Sequence, residues 1–317
     1  MKKLSVILLS YYSEQRIKNV YNSVNKLLGE AGINFEFIVI DDGSKDASYS
    51  KALELEKENE NVKAYQLSRN FTSSYAIFAG LSLCSGDCAI AIPDDEQQPY
   101  DLLIELYRKW EEGFKIVMPY RFNRNDPFVS KFFSKSFYFI MNNLSDIKYP
   151  PGGADSFLID REIIDLLNTR IHPINTTTIT EVLRLGFEPF YLPYEREKGN
   201  NKKSRWTFKK KFKLALDTFF SSSSFPIKFI SFMGVFFSFF SFLLIIFYSY
   251  INIFGNKTFW GYDPPGWTST VLFISFFSGL ILFALGIISE YIWRIYEEVK
   301  NRPGYIIKRK TPDEKNH

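Results

Sequence analysis

The chain has 317 residues, 46% of them apolar and 18% aromatic, which is ample for a packed core and excludes disorder for most of its length. Its mean hydropathy of -0.12 averages a polar, alternating first two-thirds with a last third dominated by two long apolar runs. The net charge of +4 is modest, and two cysteines, Cys84 and Cys88, at a single C-x3-C spacing lack the second pair that a structural zinc site needs, so they read as free thiols.

In chain order, Met1-Lys2-Lys3 opens onto a short apolar run without a small-residue cleavage site, which predicts a first β-strand and not a signal peptide. Apolar, β-branched runs at 4–9, 35–40, 62–67 and 88–92 alternate with helical patterns, the signature of a parallel α/β sheet. Ligands of such sheets collect beyond the carboxyl ends of the strands. Each of the four runs ends in polar chemistry there: Ser10-Tyr11-Tyr12-Ser13-Glu14, Asp41-Asp42-Gly43-Ser44, Ser68-Arg69-Asn70, and Asp94-Asp95-Glu96-Gln97. Any one of these is also a good turn or helix cap, and Asp46 fits a cap as well as it fits a functional role.

No G-x-G-x-x-G follows the first strand and no G-x-x-x-x-G-K-[ST] occurs, which removes the main support for a dinucleotide oxidoreductase or a P-loop NTPase. Adjacent carboxylates after a strand offer another way to handle phosphate, by holding Mg2+ or Mn2+ against a departing diphosphate. Asp94 and Asp95 are the candidate metal ligands. Downstream, Arg121, Arg124, Lys131 and Lys135 follow a fifth strand and suit an anionic group. Asp155 follows Gly152-Gly153-Ala154 and fits a turn as well as a site; Glu181 and His172 carry weaker signals.

Arg196 to Lys213 holds nine basic residues and one acid, a block that abuts an apolar run and so suits anionic lipid headgroups better than nucleic acid. Phe212, Leu216, Phe219 and Phe220 recur at helical spacing beside Lys209, Lys210, Lys211 and Lys213, which predicts a helix lying on a membrane surface. No charge occurs from Phe229 to Asn256 or from Pro264 to Ser289, so two spans are expected, joined by a Gly/Asn/Asp/Pro connector. Lys and Arg concentrate before the first run and after the second, placing both termini in the cytoplasm.

Taken together, Asp41-Asp42-Gly43-Ser44 with Asp46, Leu67-Ser68-Arg69-Asn70-Phe71, Asp94-Asp95 with Gln97 and Pro99, Ser204-Arg205-Trp206, and the tail pieces Pro265 to Ser269, Glu290-Tyr291 and Arg294 to Lys300 resemble family-2 glycosyltransferases of the GT-A fold. The branch is that of dolichol-phosphate mannose synthase and bacterial polyprenyl-phosphate glucosyltransferases, and the likeness runs along nearly the whole chain. It implies a cytoplasmic Rossmann-like catalytic domain over residues 1–205, a basic interfacial helix over 206–224, transmembrane helices over 225–254 and 267–290 around an extracytoplasmic loop at 255–266, and a cytoplasmic tail at 291–317. The implied activity is inverting transfer of a sugar from a UDP- or GDP-sugar to a polyprenyl phosphate at the plasma (inner) membrane, for cell-envelope glycan modification. The resembled branch also implies a homo-oligomer, a tetramer.

By the same resemblance Glu14, Asp41, Asp42, Asp94, Gln97, Arg196, Ser204 and Arg205 would contact the nucleotide sugar. Asp95 and Asp155 would serve the reaction, and Arg121, Lys131 and Lys135 the acceptor phosphate. The sequence departs from the pattern at Ser10, at Ser13, and at Pro93, which stands at the first acidic position of Asp-x-Asp. Two arrangements stay open: Asp94 substitutes from the next position, or Asp95 binds the metal with help from the diphosphate. A non-catalytic membrane scaffold would account for Pro93. A processive polysaccharide synthase would carry Gln-x-x-Arg-Trp, where this chain has Lys202-Lys203-Ser204-Arg205-Trp206.

Overall fold

The structure, a computed structural model, describes residues 2–95, 99–121, 136, 138–139, 141–145, 147–150, 154, 156–194, 216, 219–220, 223–254 and 266–309. The chain divides into two compact units, one formed by Met1–Ser222 with Arg302–His317 and the other by Ser223–Asn301.

The first unit is built on four mutually parallel strands, β1 (Lys3–Ser10), β2 (Asn34–Asp41), β3 (Val62–Leu67) and β4 (Cys88–Pro93), within a residue or two of the apolar runs that predict them. Between them come helices α1 (Ile17–Glu30), α2 (Ser48–Glu58) and α3 (Ser73–Leu83). Side chains alternate across the sheet. Leu4, Val6 and Leu8 of β1 join a core with α1, α2 and α4 (Asp101–Glu111), while Ile7 joins the opposite core with α3 and α5 (Arg161–Arg170). Helices on both faces are why these strands read as continuous apolar runs. On α1 the buried residues Ile17, Val20, Tyr21, Val24 and Leu28 form one stripe, and each such side chain contributes about 1.5–3 kcal/mol on burial.

The sheet extends well beyond this parallel centre, to eight strands in the order β7-β5-β6-β4-β1-β2-β3-β8. Strand β6 (Leu158–Asp160) lies antiparallel between β4 and β5 (Ile116–Arg121), β7 (Phe190–Tyr194) runs parallel to β5, and the short helix α6 (Thr178–Arg184) precedes β7. Within the segment 291–317, β8 (Ile307–Arg309) pairs antiparallel with β3. Ser68 N donates to Ile306 O at 2.8 Å and Tyr305 Oη to Ser82 Oγ at 2.9 Å, so the return of the chain is anchored at the end of β3 and on α3.

The second unit consists of α7 (Phe225–Phe254) and α8 (Gly266–Val299). Phe237 of α7 packs edge-on against Phe276 and Phe277 of α8, and Tyr291 Oη donates to Ser223 O at 3.0 Å. Exposed Phe232, Phe239, Ile274 and Leu282 leave apolar surface on both helices. Among the described residues, the segment Phe276–Val299, 24 residues with a hydropathy of 1.8, is long and apolar enough to cross a membrane. Of the expected interfacial helix, only positions 216, 219 and 220 fall within the described helical residues.

At the amino-terminal edge of the sheet, Glu36 ties β1, β2 and the turn before β4 together. It accepts from Ser5 Oγ (2.5 Å), Lys3 Nζ (2.9 Å), Ser85 N (2.6 Å), Ser85 Oγ (2.7 Å) and Gly86 N (3.0 Å). Burial pushes its carboxyl upward, but the hydrogen bonds from Ser5, Lys3 and Ser85 outweigh it and hold the group below its ordinary 4.5. A depressed carboxyl stabilises the fold above the unfolded value and stops doing so as pH falls through the folded one. In thermal melts of the detergent-purified chain, Glu36→Gln should cost about 2 kcal/mol near neutral pH, with the gap to wild type closing in acid. A gap that persists unchanged below the folded value would contradict this role.

Candidate active site

The strand register brings the polar strand ends into one row. Leu9 of β1 stands opposite Pro93 of β4, Ser10 opposite Asp41 of β2, and Asp41 opposite Gln66 of β3. Asp94 and Asp95, Tyr11 to Glu14, Asp42 to Ser44, and Ser68 to Phe71 therefore leave the sheet at a common rim, the place where open α/β sheets bind ligands. Strand β5 runs in the same sense as β4, so Arg121 ends at that rim too, in register with Tyr194 of β7. A bridge between Tyr120 and Ala154 brings the residue before Asp155 beside the end of β5.

Asp41 is fully buried and framed by three donors. Ser44 N reaches one carboxylate oxygen at 3.0 Å, Ser44 Oγ the other at 2.5 Å, and Gln66 Nε2 donates at 3.0 Å from β3. Gly43 makes this turn possible: its φ is +69°, and a Cβ there would lie 2.5 Å from the backbone carbon of Arg69. The neighbouring Asp42 turns the other way and accepts from Phe71 N at 2.7 Å and Thr72 N at 3.0 Å. Burial pushes the Asp42 carboxyl up to about 6; the two N–H groups pull it down and the charge of Asp41 adds to the rise. Thr72 sits at φ 81°, unusual for a β-branched residue, at the point where its N–H meets Asp42.

The loop between β1 and α1 is tied down from both sides. Tyr12 N donates to Ser44 Oγ at 3.0 Å, Ser13 N to Ser48 Oγ at 2.7 Å, and Glu14 accepts from Ala47 N at 3.2 Å. On the β4 side, Ser13 Oγ donates to Asp94, and Arg16 Nη2 lies 2.6 Å from the same carboxylate oxygen. Tyr12 has φ 52° and its ring meets that of Tyr11 edge-on, leaving an exposed aromatic side chain at the rim. Asp46 accepts from Ser48 N (3.2 Å) and Ser48 Oγ (2.6 Å), which is local capping of α2.

Of the residues singled out in the sequence, Glu14, Asp41, Asp42, Asp94 and Asp95 lie at this rim, with Arg121 placed there by its backbone. Gln97, Arg124, Lys131, Lys135, Asp155, Arg196, Ser204 and Arg205 lie outside the described residues. Glu181 is buried and paired with Arg184 at 2.8 Å, a structural role, and Cys84 and Cys88 are buried free thiols. Sequence reasoning missed Gln66 and Arg16. A Gln among apolar residues at a strand end was the available sign for the first, whereas Arg16 looks like any exposed charge beside a helix.

Among the described residues no group of three metal-ligating side chains forms. The carboxylates at the end of β4 are the exposed Asp95 and the buried, paired Asp94. Mg2+ and Mn2+ suit hard oxygen donors, and Mg2+ is commonly bound through one or two carboxylates with waters and substrate phosphate supplying the rest. The donor set fits such an ion.

The family model described as glycosyl transferase family 2 matches residues 5–167, the span that contains this rim. The chain is 32% identical to an uncharacterized glycosyltransferase of Synechocystis over 96% of this chain and 94% of that one. It is also 32% identical to a prophage-derived bactoprenol glucosyl transferase of Shigella flexneri, over 97% and 98% of the two chains. A solved structure of glucosyl-3-phosphoglycerate synthase from Mycobacterium tuberculosis overlays with a TM-score of 0.48 at 17% identity, covering 68% of this chain and 76% of that one. With its acidic rim on a Rossmann-like mixed sheet and a family match across it, the chain belongs to glycosyl transferase family 2 and is a glycosyltransferase.

Proposed function

We propose that this enzyme moves a hexose from a nucleotide diphosphate sugar to a polyprenyl phosphate, with inversion, at the cytoplasmic face of the plasma membrane. The observation that carries the reading is the level row of strand ends holding Asp41, Asp42, Asp94 and Asp95 on a chain that also bears a membrane-length apolar helix. The full-length similarity to a bactoprenol glucosyl transferase supports the lipid acceptor.

Asp41, Asp42 and Glu14 hold the nucleoside end of the donor, with Gln97, Arg196, Ser204 and Arg205 completing its enclosure. A divalent ion at Asp95 would neutralise the departing nucleoside diphosphate. The acceptor is a phosphate oxygen already ionised at neutral pH, so it needs no strong base, and the chain's task is to bring two anions together. Arg121, Lys131 and Lys135 neutralise the acceptor, and Asp155 orients sugar or acceptor.

Chain connectivity supports a two-span anchor. Because β8 belongs to the same sheet as β3, a chain that enters the membrane after residue 222 must return to the side it left, which requires an even number of crossings. The charge-free runs of α7 and α8 supply two, and the Lys and Arg residues outside them favour the cytoplasm for the catalytic unit.

Label transfer from a panel of UDP- and GDP-sugars to undecaprenyl phosphate, with Mg2+ or Mn2+ in detergent, tests the proposal. One donor should be used by wild type and lost in Asp95→Ala; transfer from no donor would favour a scaffold that keeps the fold. The pH dependence offers a second check. A nucleotide-sugar diphosphate has no group ionising near pH 6, so donor binding should strengthen as pH rises through about 6, where Asp42 becomes an ionised acceptor. Asp42→Asn should bind about tenfold more weakly at neutral pH and show a flat profile. An unchanged profile in that variant would remove Asp42 from donor binding.

A further inference from the structure

Strand β3 and the loop after it supply donors to both rim carboxylates of β2. Gln66 Nε2 reaches Asp41, and Phe71 N and Thr72 N reach Asp42. Without β8, β3 would be the edge of the sheet, and the end of an unpaired edge strand opens easily. The short strand β8 covers β3 at that end: Gln66 stands opposite Arg309 and Leu67 opposite Ile307, and Ser68 N donates to Ile306 O at 2.8 Å. The register shifts between Gln66 and Leu67, a bulge of the kind that re-aims a side chain next to a site.

The residues just before β8 are seated on α3. Tyr305 Oη donates to Ser82 Oγ at 2.9 Å, and Ser82 Oγ donates in turn to Ala79 O at 2.8 Å. Two turns towards the start of α3, Gly304 lies against Tyr75, whose hydroxyl accepts from Asn175 N at 3.2 Å. A Cβ on Gly304 would collide with Pro173 O and lie 3.0 Å from both Pro173 Cγ and Tyr75 Cε1, so this close approach requires glycine. Tyr305 and Ile307 add apolar contact with the core that contains Leu67, Phe71 and Ala79. The strap from Gly304 to Arg309 thus grips both the end of β3 and the helix that follows Thr72, on either side of the loop that faces Asp42.

We infer that this strap, contributed by the chain after α8, is a positioning element of the donor site: Gly304 and Tyr305 hold β3 and α3 so that Gln66, Phe71 and Thr72 stay aimed at Asp41 and Asp42. This rests on the reading of Asp41 and Asp42 as donor-binding residues and deepens it. The strap touches neither carboxylate and acts through the residues it pairs with.

Hydrogen–deuterium exchange and calorimetric titration of UDP and of GDP, both on the detergent-purified full chain, test the strap with Gly304→Ala and Tyr305→Phe. Gly304→Ala should speed amide exchange in peptides covering residues 66–72 by about fivefold or more. Nucleotide binding should weaken by about three- to tenfold, and the donor KM should rise by the same factor with kcat little changed. Tyr305→Phe should shift each quantity in the same direction and by less. Glu36→Gln, which loosens the opposite end of the sheet, should lower the melting temperature and leave nucleotide binding as it is, which separates positioning from a general loss of stability. Exchange at 66–72 that stays at the wild-type rate in both strap variants would overturn the inference. So would faster exchange there with nucleotide binding unchanged, in a chain whose Asp42→Asn variant binds more weakly. Asp42→Asn binding nucleotide like wild type would refute the donor-site reading, while the exchange rates still decide whether the strap holds the loop.

Discussion

Burial of carboxylates at the ends of parallel strands is the constraint on which the rest of this site depends. A buried carboxylate without donors costs several kcal/mol, so the sequence must supply partners from neighbouring strands and loops. For Asp41 these are Ser44 and Gln66, for Asp42 the backbone of Phe71 and Thr72, and for Asp94 the side chains of Ser13 and Arg16. Apart from the local Asp41–Ser44 pairing, these contacts cross between elements and tie the loops after β1 and β4 to each other, and the end of β2 to β3 and the loop after it. A rim of this kind is preorganised: its acceptors are already oriented before any nucleotide arrives, which lowers the ordering cost of binding.

The same network explains why the two adjacent acidic pairs behave differently. Asp41 and Asp42 are both buried, and the cost of burial, with a smaller addition from the charge of Asp41, appears as the raised pKa of Asp42. Asp94 is buried and paired with the Arg16 guanidinium, and Asp95 is exposed. Pro93 closes β4 without a polar side chain, so the end of this strand is specialised differently from that of β2.

Much of the fold was legible because the central strands are buried on both faces and therefore spell out near-continuous apolar runs. The rim was legible for a related reason: polar residues such as Asp41-Asp42 and Asp94-Asp95 directly after such runs have few places to go. What escaped notice was non-local. The three-residue strands β6 and β8 have almost no periodicity of their own and exist because β4, β5 and β3 offer edges to pair with. Arg16 is distant from Asp94 in sequence, and only the parallel pairing of β1 with β4 brings them together. The strand β8 returns the chain to the sheet of the first unit after α8.

Where the nucleotide sits is the central claim, and an experimental structure of the full chain soaked with UDP and Mn2+, with anomalous scattering recorded for manganese, tests it most directly. The account predicts the uridine against the Asp41 and Asp42 side of the rim and a manganese peak at Asp95. Nucleotide bound away from the carboxyl ends of β1 to β4 would contradict it.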